Sequence, residues 1–196
     1  IIAKQGPSIL STYSILIGEF YTALLLLIVL LIVIGYLFIG KRIGTLLKHI
    51  KEPILLAFGT SSSEAAFPRT LLELERFGCP NKITSFVLPL GYSFNLDGSM
   101  MYMTFASIFI AQSYGIPLDL PTQFSMLLVL MLTSKGIAGV PRASLVVIAG
   151  TLASFNIPEA GLALLLGIDP LLDMGRSATN VVGNSVATAV ISKLEA

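Results

Sequence analysis

The sequence predicts an all-α integral membrane protein that combines transmembrane helices with two re-entrant helical hairpins entering from opposite faces. Three observations predict it. The 196-residue chain is 55% hydrophobic and only 12% charged, with a mean hydropathy of +0.88, outside the range of water-soluble domains. Its apolar stretches are interrupted near their centres by short runs of Gly, Ser, Asn and Asp. Most Lys and Arg gather in a few connections, and the excess of cations on cytoplasmic loops orients each stretch.

Residues 1–12 read as the remnant of an extracellular loop. With neither an initiating Met nor a signal-peptide cleavage site, the chain is expected to be the C-terminal part of a longer polypeptide. Residues 13–40 form the first transmembrane helix, uncharged from 23 to 39 and long enough for a core of about 30 Å. Glu19 is expected at its outer interface. Lys41, Arg42, Lys48 and Lys51 place the next connection inside, and His49, alone in that basic loop, is expected to be solvated. Residues 43–77 contain an apolar stretch broken at 59–64 and followed by Arg69, Arg76 and Lys82. Basic flanks on both sides predict a segment that enters and leaves on the inner face, hairpin 1.

Residues 82–113 predict a crossing helix broken at Asn95-Leu96-Asp97-Gly98-Ser99. The loop after it holds Asp119 but no cation, so it lies outside. Residues 121–155 are interrupted by Ser134-Lys135-Gly136-Ile137-Ala138-Gly139-Val140-Pro141, and the far flank carries Glu159 and no cation. Both ends share the outer face, giving hairpin 2. Residues 157–196 then predict one amphipathic transmembrane helix returning inside at Lys193. Irregular backbone at membrane depth is tolerated only where protein or a polar cavity satisfies it, so the three breaks locate the chemistry.

The last helix carries Asp169, Asp173, Arg176, Asn180 and Asn184. At 3.6 residues per turn their spacing keeps them within an arc of roughly 80°, a polar stripe. A charge at the bilayer centre costs at least about 2.5–3.5 kcal/mol, so such a stripe faces a cavity, a partner charge or a substrate. The Arg176 guanidinium matches a carboxylate and Asp173 can hold an ammonium, which together suit an amino acid with an acidic side chain. The bland alternative is a self-neutralising Asp173–Arg176 pair. Asp97, with carbonyls freed by the flexibility of Gly98, can form a hard-oxygen cage for a small cation; alternatively it caps the second half of a kinked helix. Ser61, Ser62 and Ser63, at the hairpin 1 tip, can offer hydroxyls and N–H groups to a carboxylate, and the glycines of hairpin 2 can hinge a lid; either tip could also be a plain turn. Glu64, Lys135 and Arg142 receive no role.

A net charge of +1 leaves no basic surface for nucleic acid. Cys79 is the single cysteine, which excludes an internal disulfide or a cysteine metal cluster and reads as a plain thiol at a helix boundary. No serine has a base at informative spacing, so an intramembrane hydrolase, like one built on Asp97 and Asp169, is disfavoured and the protein reads as no enzyme. A passive channel remains the rival class, because re-entrant loops and a polar midplane also suit it.

The strings SSSEAAFPR, LPLGYSFNLDGS, TSKGIAGVP and LGIDPLLDMGRSATNVVGN, in this order and spacing, resemble the dicarboxylate/amino acid:cation symporters, the glutamate transporter family. The resemblance covers residues 13–196. It implies most of a mobile transport domain (sixth span, hairpin 1, broken seventh span, hairpin 2, eighth span), whose scaffold and third span lie outside this chain. It further implies a homotrimer, elevator-type alternating access in a multi-pass protein of the bacterial inner membrane, no organic cofactor, and Na⁺ or H⁺ as coupling cation.

Carried onto this chain, the resemblance gives Arg176 to the substrate side-chain carboxylate and Asp173 to its amino group. Ser62, Ser63, Ser99, Gly139, Val140, Ser177 and Asn180 take the remaining substrate contacts. Gly91, Asn95, Asn180 and Asn184 fall on one cation site, Ser93, Ser134 and Ile137 on a second, and Asn95 with Asp97 on a third. The chain departs from the sodium-coupled pattern at Asn184, which stands for an aspartate, and at Leu96, which stands for a methionine. Both changes resemble proton-coupled relatives and the C4-dicarboxylate branch, whereas Asp173 is an acid that dicarboxylate carriers lack. A second arginine found in some members is absent at Ser61 and Met174; Arg142 is a candidate substitute. The expected function is cation-coupled uptake of L-glutamate or L-aspartate, with C4-dicarboxylate uptake as the alternative.

Overall fold

A computed structural model describes residues 8–94, 96–135 and 143–195, leaving aside the side chains of residues 8, 9 and 143. Among these residues the structure is helical, without strands. Helix α1 (Ser8–Ile39) is followed by α2 (Arg42–Thr60), α3 (Ser63–Phe77), α4 (Asn81–Phe94), α5 (Asp97–Ser113), α6 (Leu120–Thr133) and α7 (Ala143–Ser154). A 3₁₀ turn (Glu159–Gly161), the short α8 (Leu162–Leu165) and α9 (Asp169–Leu194) complete the order.

Helix α1 is the one described helix long and apolar enough to cross a membrane by itself. It buries Tyr13, Leu16, Phe20 and Leu24, spaced by three and four residues, and turns Leu25, Leu26, Val29, Leu30, Val33 and Leu37 outward. Among the described residues it is helical from Ser8 onward, ahead of residue 13. The stretch after Ser8 has no proline or glycine until Gly18, and the Tyr13 hydroxyl donates to the Leu164 carbonyl at 2.6 Å, tying the early turns to the body. Residues 1–7 of the predicted loop lie outside the described residues.

The basic stretch after α1 is not a loop either. Gly40, with φ +62°, makes the turn, and helix resumes at Arg42, so Lys48, His49 and Lys51 lie on α2. His49 is therefore not simply solvated: its Nδ1 lies 3.1 Å from Glu73 Oε2 on α3. Glu73 is buried and also accepts from Arg76 at 2.7 Å, with Arg69 at 3.4 Å, and Arg69 in turn reaches Glu52 at 2.6 Å. This charge cluster clamps α2 to α3 away from their tip. Ser61 adopts a left-handed φ of 52° and Ser62 caps α3, its Oγ accepting from Ala65 N at 3.2 Å, which makes the turn at the predicted break.

The second predicted break also holds, with α4 ending at Phe94 and α5 starting at Asp97. Helix α6 starts where Asp119 accepts from Thr122 N at 2.9 Å, and the turn after α7 passes through Asn156, whose φ of 56° lets Ile157 N reach Leu152 O. Cys79 is a buried free thiol between α3 and α4, as its position implied.

The predicted continuous helix over 157–196 is broken at 166–168. Pro170, second in α9, has no N–H, and its ring would collide with the carbonyl four residues earlier, at Leu166; Gly167 removes any local incentive to stay helical. From 177 to 186 every residue of α9 is buried, because α1, α2, α3, α4 and α5 all pack around it. The helix predicted to be amphipathic is thus central, and its polar stripe faces protein.

Candidate functional site

The geometry centres on the start of α5 against the middle of α9. Leu96, which precedes α5, gives no side-chain cap, so the first N–H groups of the helix need another acceptor. Asn180 supplies it from α9: Oδ1 accepts from Gly98 N at 2.9 Å and Ser99 N at 3.2 Å. Its Nδ2 donates to Ser99 Oγ at 2.9 Å, and Arg176 Nη1 donates to the same oxygen at 2.9 Å. One serine hydroxyl therefore joins the guanidinium to the amide. Gly98 is helical here, and does not take the unusual dihedrals expected of it. What it provides is close approach, since a Cβ there would strike the Arg176 backbone carbonyl.

Arg176 Nε also donates to Asp173 Oδ1, and both side chains are largely buried. The structure thus contains the self-neutralising pair. It is not isolated, because the guanidinium also bonds Ser99 and stands 5.8 Å from the Tyr102 ring centroid. Tyr102 is fully buried and its hydroxyl donates to Asp169 Oδ1. Sequence reasoning missed Tyr102. The available signal was a phenol one turn beyond Ser99 in an apolar helix, where a buried hydroxyl must find a partner.

Asn184 lies one turn beyond Asn180 and is 1% exposed. Among the described residues neither its Oδ1 nor its Nδ2 has a hydrogen-bond partner. Its amide faces α4 at Gly91, where a Cβ would strike Oδ1. The Asp97 carboxylate approaches α9 at Gly183 in the same way. Glycine at 91 and at 183 thus makes room for two polar side chains between packed helices, as a polar pocket requires.

The α2–α3 turn reaches α9 through Ala57, Ala66 and Val181, one residue past Asn180. Ser62 Oγ and Ser63 Oγ lie 3.1 and 3.4 Å from Glu64 Oε2, so Glu64, unassigned by sequence, holds the tip hydroxyls. The Ser63 carbonyl accepts from Tyr92 OH at 2.9 Å. Ser177 is buried on α9 beside Arg176, and Ser93 bonds back to the Pro89 carbonyl. Ser93, Ser99 and Ser134 border one narrow cavity at the α4–α5 break, which brings the end of α6 beside the site. Asn95, Ile137, Gly139, Val140 and Arg142 lie outside the described residues.

Residues 1–194 match the model of the sodium:dicarboxylate symporter family, and the chain belongs to that family. It is therefore an integral membrane protein of a symporter family and not an enzyme. A proton/sodium-glutamate symport protein of Bacillus caldotenax is 49% identical over 99% of this chain and 46% of its own length. A C4-dicarboxylate transport protein of Laribacter hongkongensis is 48% identical over 99% of this chain and 44% of its own. A proton/glutamate-aspartate symporter of Escherichia coli is 51% identical over 80% of this chain and 36% of its own. The chain spans less than half the length of these relatives.

Proposed function

We propose that this chain is the substrate-carrying part of a secondary active symporter that takes up an acidic amino acid, L-glutamate or L-aspartate, with Na⁺ or H⁺. The observation that carries the reading is the buried Asp173–Arg176 pair, linked through Ser99 to the start of α5 in a member of a symporter family. In the unloaded site the two charges neutralise each other. An acidic amino acid exchanges that one ion pair for two: its side-chain carboxylate takes the guanidinium and its ammonium takes Asp173. Ser99, Ser177 and Asn180, with the tip residues Ser62, Ser63, Gly139 and Val140, complete the contacts.

Coupling follows from charge. Asp169 and Asp173 lie on α9 and the Asp97 carboxylate lies against it at Gly183, while Arg176 is the one arginine of that helix, and an acidic substrate adds a further negative charge. A cation bound with the substrate offsets this, so each raises the other's affinity and the loaded state is favoured. Gly91, Asn95, Asp97, Asn180 and Asn184 are the candidate ligands, with Ser93, Ser134 and Ile137 at a second position. The unpartnered amide of Asn184 supports a ligand there, and the lack of a charged oxygen on it weakens the case for Na⁺ at that place.

In this reading α2–α3 and α6–α7 are oppositely directed re-entrant hairpins, the second acting as outer gate. The domain moves as an elevator against a scaffold in a homotrimer of the bacterial inner membrane. Uptake of labelled aspartate into proteoliposomes tests the function: Arg176→Ala abolishes it, and unchanged uptake would remove Arg176 from the site. A C4-dicarboxylate is the second reading, favoured by the near-equal identity to the dicarboxylate carrier. Asp173 argues against it, since a succinate offers no ammonium and leaves that carboxylate facing another in low dielectric. Stronger competition by succinate than by aspartate would reverse the order.

A further inference from the structure

Lys135 stands at the end of the first arm of hairpin 2, and its charge has no part in the site described above. Its Nζ donates to the Phe94 carbonyl at 2.8 Å and lies 6.0 Å from the Phe94 ring centroid. Phe94 is the last residue of α4. The final carbonyls of a helix have no amide four residues ahead, and they carry the negative end of the helix dipole. At a break inside an apolar segment, water is a poor substitute for that missing partner. A narrow cavity of ≈10 Å³ opens at the same point, bordered by Ser93, Leu96, Ser99, Ser134 and Lys135. That is room for about one water or ion.

An ammonium that merely snorkelled would extend away from the protein toward water or headgroups. Lys135 is itself exposed, yet its ammonium bends back to a carbonyl at the end of a half-helix, where a small free cation would also be stabilised. We propose that Lys135 is a built-in monovalent cation: its ammonium occupies the carbonyl end of α4 in place of a free Na⁺ and ties the first arm of hairpin 2 to the α4–α5 break. The proposal deepens the reading as a cation-coupled symporter by assigning one cation position to the protein's own side chain. Occupancy of that position is then independent of external Na⁺, and the arm α6 is anchored to the end of α4.

The test uses thermal unfolding of the purified protein in detergent, in NaCl and in choline chloride at equal ionic strength, for the wild type, Lys135→Met, Lys135→Gln and Lys135→Arg. Lys135→Met is expected to melt lower in choline and to be raised by Na⁺ further than the wild type, because the vacated carbonyl now accepts a free ion. Lys135→Gln, which retains a donor without the charge, is expected to behave likewise, and it carries the test if the methionine variant does not fold. Lys135→Arg is expected to keep the wild-type response. Titration of aspartate should show the same division, with about a tenfold loss of affinity in choline for the neutral variants, the scale of one charge-assisted hydrogen bond. An unchanged Na⁺ response in both neutral variants, or an arginine variant that behaves as they do, overturns the proposal. The melting curves need no substrate. Failure of the transport reading would appear separately, as wild-type protein binding neither aspartate nor succinate.

Discussion

Ser99 is small, yet its hydroxyl accepts from both Arg176 and Asn180, and its own N–H rests on the Asn180 amide oxygen. The residues around it act through placement. Tyr102→Phe removes one hydroxyl donor to the buried Asp169 while keeping the ring beside Arg176; stability is expected to fall by about 1–3 kcal/mol, measured as a lower melting temperature. Asn184→Asp places a hard anionic oxygen against Gly91, and aspartate affinity is expected to become steeply Na⁺-dependent in binding isotherms; an isotherm indifferent to Na⁺ would remove position 184 from the cation ligands. Arg176, Asp173 and Asn180 were legible as one stripe because helical periodicity fixes their relative angle. The bond of Asn180 to the start of α5 was not, since it joins groups about eighty residues apart in the chain.

At the scale of elements, composition showed where the chain turns and was weaker on how. The breaks at 59–64 and 95–99 stood out because Gly, Ser, Asn and Asp interrupt apolar stretches, and helices end and restart there. The break before α9 was passed over because Leu166 and Ile168 look continuous with a membrane helix, and the proline that forbids it lies two residues later. The α2–α3 pair depends on Glu73, which gathers His49, Arg69 and Arg76; Glu73→Ala removes the acceptor they share, though Arg69 keeps Glu52, and a loss of about 1–3 kcal/mol is expected in the melting of the protein. At the start of α6, hydrogen bonds from Thr122 hold the Asp119 carboxyl below the usual carboxylate range. A lowered folded-state pKa gives stability that is fully present above the unfolded value, about 3.9, and lost as pH falls through the folded one. Amide exchange at the start of α6 should therefore accelerate below about pH 4, and Asp119→Ala should show the faster rate already at neutral pH.

For the whole molecule, α9 is the axis around which α1 to α5 pack, with α6 and α7 set against α5, and α1 carries the outward apolar face. A charge on that face, as in Leu30→Glu, is expected to cost at least about 2.5 kcal/mol of insertion and to lower the membrane-integrated yield, whereas the same change on a face covered by protein would act through packing. The sequence by itself determined that this is a helical membrane protein of a symporter family, where its helices break, and which acidic, basic and amide residues share one stripe. Those properties follow from hydropathy, helical period and motif order, all of which are local along the chain. Only the tertiary structure decided that the stripe is enclosed by protein, that Arg176 rests on Asp173, Ser99 and Tyr102, and that Lys135 closes the end of α4. Each of these depends on which distant segments meet, and burial in low dielectric gives such meetings their energetic weight.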